Sequence, residues 1–190
     1  KNENVCDKIK NNSIKSVVWK KCFPKGYTEL EYSSKTNFCT FNFIIDLIDK
    51  KTSNNLTTNQ IKSVLFEEYK KYLENYSDKI LDILILEGKK TLGDQVKVQT
   101  LNFLSLIYTD NYFLTPFDLW LLVTKYEIPT IFICNKWILQ TKYEKHEFVG
   151  YGNIDDNFAF VLIPGLRPEN VPTYKLIHSD TDEIFLSFDK

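Results

Sequence analysis

Cysteine and histidine are the residues here that could supply a nucleophile and a proton shuttle, and both are scarce: Cys6, Cys22, Cys39 and Cys134, with His146 and His178. Cys39 has the most informative surroundings. A polar stretch, Lys35-Thr36-Asn37, runs into Phe38-Cys39, and an apolar run follows at once. Phe43, Ile44, Leu47 and Ile48 repeat at the i, i+1, i+4, i+5 spacing of one buried helix face. That spacing predicts Cys39 in the first turn of a helix anchored in the core. Free backbone N–H groups and the positive end of a helix dipole favour an anion there, as a thiolate nucleophile requires. Loop N–H groups from Lys35 to Cys39 can also be aimed at a developing oxyanion. The same position equally suits a cysteine that is only a small buried apolar residue. Position alone leaves both readings open.

A cysteine nucleophile needs a base, and the histidines that could serve are His146 and His178. His178-Ser179-Asp180-Thr181-Asp182 also has the composition of a solvated turn between strands, so again two readings stand. His146, in the charged approach Tyr143-Glu144-Lys145-His146-Glu147, reads as a surface residue. Cys134 lies in the apolar run Thr130-Ile131-Phe132-Ile133-Cys134 and reads as buried and inert. The four cysteines lack metal-ligand spacing and two histidines cannot complete a zinc site, so neither metal nor cofactor is expected.

At 190 residues, 43% hydrophobic and 15% aromatic, the chain is expected to form one domain with a core that needs no staples. Lys and Arg total 24 against 25 Asp and Glu, a net charge of -1 that offers no footprint for nucleic acid or an anionic membrane. No apolar run approaches the roughly 20 residues of a membrane span. Lys1 to Lys15 is polar throughout, unlike a signal peptide. Reduced thiols in the cytoplasm are therefore expected. The chain contains no methionine, which reads as a piece of a longer polypeptide whose other regions would be partners.

The elements that must hold these residues follow in order. Residues 1–16 read as a polar leader and 17–190 as the domain. Val17 to Phe23 and Tyr27 to Tyr32 read as strands about the turn Pro24-Lys25-Gly26. After the Cys39 helix, which should stop near Lys50, a helix from Thr57 or Thr58 to Tyr76 buries Ile61, Leu65, Tyr69 and Leu73. Ser77 then caps a shorter helix that ends at Gly88, and a further helix is expected between Asp94 and Ile107. Thr115-Pro116-Phe117-Asp118 combines a cap, a proline at the first helical position and a capping carboxylate. Leu119, Leu122, Val123 and Tyr126 form the buried face of that helix. Strands are expected at Thr130–Cys134, Glu147–Tyr151, Phe158–Ile163, Tyr174–Ile177 and Glu183–Phe188, with turns at 155–157 and 179–182. Helices lead and strands follow, so the class is α+β.

Laid out this way, the chain resembles the ovarian-tumour (OTU) family of cysteine proteases, which are deubiquitinating enzymes. Asn37-Phe38-Cys39-Thr40-Phe41 before an apolar helix is similar to the family's Asp-Gly-Asn-Cys-Leu-Phe box. Tyr112 to Leu122, followed by Tyr126-Glu127-Ile128-Pro129-Thr130-Ile131-Phe132-Ile133, is similar to its second landmark, a helix, an Ile-Pro step and a central strand. The resemblance covers Tyr27 to the C-terminus. It implies a papain-like fold with N-terminal helices packed on a mostly antiparallel sheet from the C-terminal third. It also implies hydrolysis after the C-terminal glycine of ubiquitin or a ubiquitin-like protein, the expected partner, with Cys39 as nucleophile. If the Pro164 to Pro172 loop is an insertion, the resemblance makes the His-x-Asp pair His178 the base and Asp180 the orienting group. A divergent, viral-type member would act in the host cytoplasm. The chain departs from the family at Thr36, Asn37 and Phe38, where Asp, Gly and Asn are usual, and at Thr173, which aligns with the family histidine. These departures suit a second reading, an OTU-fold module that has lost catalysis and binds a protein partner, with Arg167 and Trp137 as candidate contacts.

Overall fold

Apolar periodicity places five helices in the first two-thirds of the chain and strand patterning places most of a sheet in the remainder; the computed structural model is mixed α/β, with four α-helices and a six-stranded sheet among the described residues. It describes residues 26–32, 38–137, 144–167 and 169–187, with backbone only at 134–137 and 144–148. The expected leader, the expected strand at 17–23 and the loop at 33–37 lie outside the described residues, as do Cys6 and Cys22. By internal contacts the chain divides into a helical unit, Tyr32–Tyr126 with Leu166–Pro172, and a unit built from the remaining described residues.

In the helical unit, α1 (Phe38–Thr52) buries Phe43, Ile44, Leu47 and Ile48, the stripe read from its spacing, together with Phe41. Helix α2 (Thr58–Leu86) starts at Thr57, whose side chain accepts from the Gln60 N–H while the Gln60 side chain accepts from the Thr57 N–H. Two helices were expected across this stretch, and one continuous helix is found. The break survives as a kink at Tyr76, where φ is -134°. The apolar faces on either side, Ile61-Leu65-Tyr69 and Ile80-Leu81-Leu84, are both buried, so one rod with a local bend serves both.

The end of α2 is where Gly88 places it. Gly88 has φ +107°. Its N–H donates to the Ile85 carbonyl at 3.1 Å and that of Lys89 to the Leu84 carbonyl at 2.9 Å. This pair of bonds is a Schellman closure, which needs a left-handed residue that glycine supplies without a Cβ penalty. Helix α3 (Lys90–Lys97) follows directly. The helix expected at 94–107 is thus shorter and earlier than its sequence suggested, and a separate 3₁₀ turn, Ser105–Tyr108, buries Leu106 and Ile107. Helix α4 (Pro116–Lys125) has the expected start, with Thr115 as cap, Pro116 in the first turn and Asp118 closing a capping box.

The second unit is a six-stranded mixed sheet. Its strands are β1 (Thr28–Glu31), β2 (Thr130–Trp137), β3 (Glu144–Tyr151), β4 (Phe158–Ile163), β5 (Lys175–His178) and β6 (Phe185–Leu186). The order is β1-β5-β4-β2-β3, with β6 also on β4. Only β2 and β4 pair in parallel, with Ile131 beside Phe160; the other described pairings are antiparallel. The sheet is therefore not drawn wholly from the C-terminal third, because β1 flanks β5 from near the start of the chain. Ile131, Ile133, Phe158, Phe160, Ile177 and Leu186 pack as one apolar cluster. The β3–β4 turn closes through the Asn153 N–H on the Asp156 carboxylate at 2.7 Å, which explains the Asp-rich composition there.

Candidate functional site

Cys39 is the second residue of α1, as its spacing predicts. It is 3% exposed. Its thiol faces the Pro172 carbonyl with Sγ 3.9 Å from the oxygen, a weak S–H contact within the helical unit. The next residue fixes the helix start: the Thr40 hydroxyl accepts the Leu114 N–H at 3.0 Å, and both groups are buried. Phe38, one residue earlier, is 52% exposed.

His178 and Asp180 belong to the sheet unit, so the three proposed catalytic residues are divided between the two units. Both imidazole nitrogens are engaged. Nε2 lies 2.8 Å from the Thr28 hydroxyl of β1, and Nδ1 lies 2.9 Å from the Ser179 carbonyl. The β1–β5 register creates the first contact, because Thr28 stands directly opposite His178. The carboxylate nearest the ring is Asp182, 3.6 Å from Nδ1 and 94% exposed. Asp180, the expected orienting group, forms no hydrogen bond or ion pair with the ring and lies beside Gly26. The 179–182 segment is a turn organised by the Ser179 hydroxyl, which receives the N–H groups of Thr181 and Glu183. Thr173, aligned with the family histidine, is half-buried just before β5. His146, Cys134 and Trp137 lie on β3 and β2, and their side chains are outside the described residues. No group of side chains that could hold a metal occurs among the described residues.

The strongest electrostatic feature lies elsewhere in the helical unit. Asp118 reads from sequence as a cap, and it is one: its Oδ2 accepts the Thr115 N–H at 2.8 Å. It is also fully buried and ion-paired to the equally buried Lys89, with Nζ 2.9 Å from Oδ2. Tyr112 donates to the same carboxylate at 2.8 Å, and Tyr69 donates to Oδ1. Lys89 Nζ further sits 3.3 Å from the centroid of the Tyr112 ring, a desolvated cation–π contact. Burial pushes the Lys89 ammonium down to about 8 against the pull of Asp118. Burial likewise pushes both tyrosines well up, with Asp118 adding to the rise. Glu87, whose carboxylate accepts the Phe117 N–H at 3.1 Å, is raised by burial to about 7.

This cluster joins the end of α2 to the start of α4 and has every buried polar atom partnered. Its closed hydrogen bonding makes it a structural pin. Sequence reasoning missed Lys89 because charged residues are rarely fully buried. The available signal was the glycine closure at Gly88, which reverses the chain and turns Lys89 inward toward two polar-tipped aromatics. Comparisons of the chain with protein-family models, with curated proteins and with solved structures found no match.

Proposed function

We propose that the chain is an OTU-like module in which Cys39 is a packing residue, and that its role is to bind a protein partner of the ubiquitin class. The observation that carries this reading is the closed thiol, 3% exposed and turned to the Pro172 carbonyl. The engagement of both His178 nitrogens by Thr28 and Ser179, without Asp180, supports it. So does Phe38, a bulky exposed ring beside the cysteine where the family has a small polar residue.

A second reading, hydrolysis after the C-terminal glycine of ubiquitin or a ubiquitin-like protein, is favoured by one observation. Cys39 occupies the first turn of a core-anchored helix, where free N–H groups favour an anion. On that reading Cys39 attacks the carbonyl and His178 carries the proton.

Labelling with a ubiquitin C-terminal electrophile separates the two. The binding-module reading expects no adduct and no cleavage of di-ubiquitin. It expects ubiquitin or a ubiquitin-like protein to bind equally well to the wild type and to Cys39→Ala in calorimetric titration. An adduct lost in Cys39→Ala but kept in Cys134→Ala, together with cleavage that Cys39→Ala abolishes, would establish the protease instead.

A further inference from the structure

We propose that residues 169–172 form a strap that controls access to the Cys39 thiol, with Glu169 as its latch. Three contacts within the helical unit hold the strap. At its start, the Glu169 N–H donates to the Gly88 carbonyl at 2.8 Å, and the Glu169 carboxylate accepts the Thr91 N–H at 2.7 Å. At its end, the Pro172 carbonyl covers the Cys39 sulfur.

The latch has a clear physical basis. Thr91 is in the first turn of α3, and Lys89, the residue before that helix, supplies no side-chain cap. The orphan N–H and the positive end of the helix therefore await an acceptor, and a carboxylate is the favoured one. Glu169 supplies it from 78 residues further along the chain. Its backbone has φ +61°, the left-handed region that residues with a Cβ adopt uncommonly. Glu169, Asn170 and Val171 are exposed, so the strap has solvent on its outer side. The buried Pro172 is the one residue of the four that is enclosed. Loss of the latch carboxylate should free the backbone to leave the left-handed conformation and lift the Pro172 carbonyl from the thiol. This inference concerns access to Cys39 and goes beyond the function proposed above, since it holds whether the thiol packs or reacts.

The test is alkylation of the whole folded chain by iodoacetamide at neutral pH, with the Cys39 adduct quantified by peptide mass spectrometry over time. Glu169→Ala should speed modification of Cys39 about tenfold or more, the scale of a charge-assisted hydrogen bond lost from the closed state. Glu169→Gln keeps an acceptor for Thr91 and should stay close to the wild-type rate. Thr57→Ala, which removes a cap of the same unit remote in sequence from the strap, reports any acceleration caused by general destabilisation. A Glu169→Ala rate within twofold of wild type, or an equal acceleration in Thr57→Ala, would overturn the strap. Iodoacetamide needs only an open path to sulfur, whereas the ubiquitin electrophile also needs its tail bound, so the two proposals fail separately.

Discussion

Replacing Lys89 by methionine keeps much of the side-chain volume and removes the one cation paired to a fully buried carboxylate. Asp118 would then hold its charge with the Tyr69 and Tyr112 hydroxyls and the Thr115 N–H alone. Breaking a buried ion pair on one side typically costs about 3–5 kcal/mol, because the remaining charge has lost both water and partner. Both members are at most 1% exposed, so this full range applies. At roughly 2–4 °C per kcal/mol for a chain of this size, the melting midpoint should fall by roughly 6–20 °C. All four described α-helices belong to the helical unit, so far-UV circular dichroism at the helical minimum reads its unfolding in urea. Asp118→Asn alone should also destabilise, by leaving the buried Lys89 without its anionic partner. The double variant Lys89→Met/Asp118→Asn buries no net charge and should recover at least about 2 kcal/mol relative to the sum of the singles. The argument fails if Lys89→Met lies within about 1 kcal/mol of wild type, or if the two changes simply add.

Three further outcomes follow from the same unit. Glu87 is raised to about 7 from 4.5, so the fold favours its protonated form. Its stabilising contribution is full below pH 4.5 and is lost as pH rises through about 7. Glu87→Gln, which mimics the neutral form and keeps an acceptor for Phe117, should flatten stability against pH across that window in urea titrations; an unchanged slope would refute the assignment. The Lys89 effect runs at higher pH: with its folded value near 8 against 10.5 unfolded, stability should rise with pH between those values, and Lys89→Met should remove that rise. Gly93, inside α3, has no room for a Cβ, which would stand 2.3 Å from Ile85 Cγ1. Gly93→Ala should therefore cost about 1–3 kcal/mol despite alanine's better helix propensity, and Ile85→Ala in the same chain should return part of it, measured by thermal melting.

Local pattern determined a good deal of this molecule. The stripe Phe43-Ile44-Leu47-Ile48 placed Cys39 in the first turn of α1, and Thr115-Pro116-Phe117-Asp118 marked the start of α4, because caps and apolar periodicity act within one or two turns of chain. Gly88 marked the end of α2 for the same reason: a positive φ is a property of one residue. The runs at 130, 158 and 175 announced strands through their β-branched and aromatic content. Pattern could not say that the two helices read on either side of Tyr76 are one, since the choice between a break and a kink depends on what both apolar faces pack against. It could not pair β1 with β5 across 150 residues, and so could not show Thr28 occupying the His178 ring. The strap, with Glu169 capping α3 and Pro172 over Cys39, and the burial of Lys89 against Asp118 are likewise invisible along the chain. Each joins groups far apart in sequence, and their energies arise from desolvation and distance, which exist only once the chain has folded.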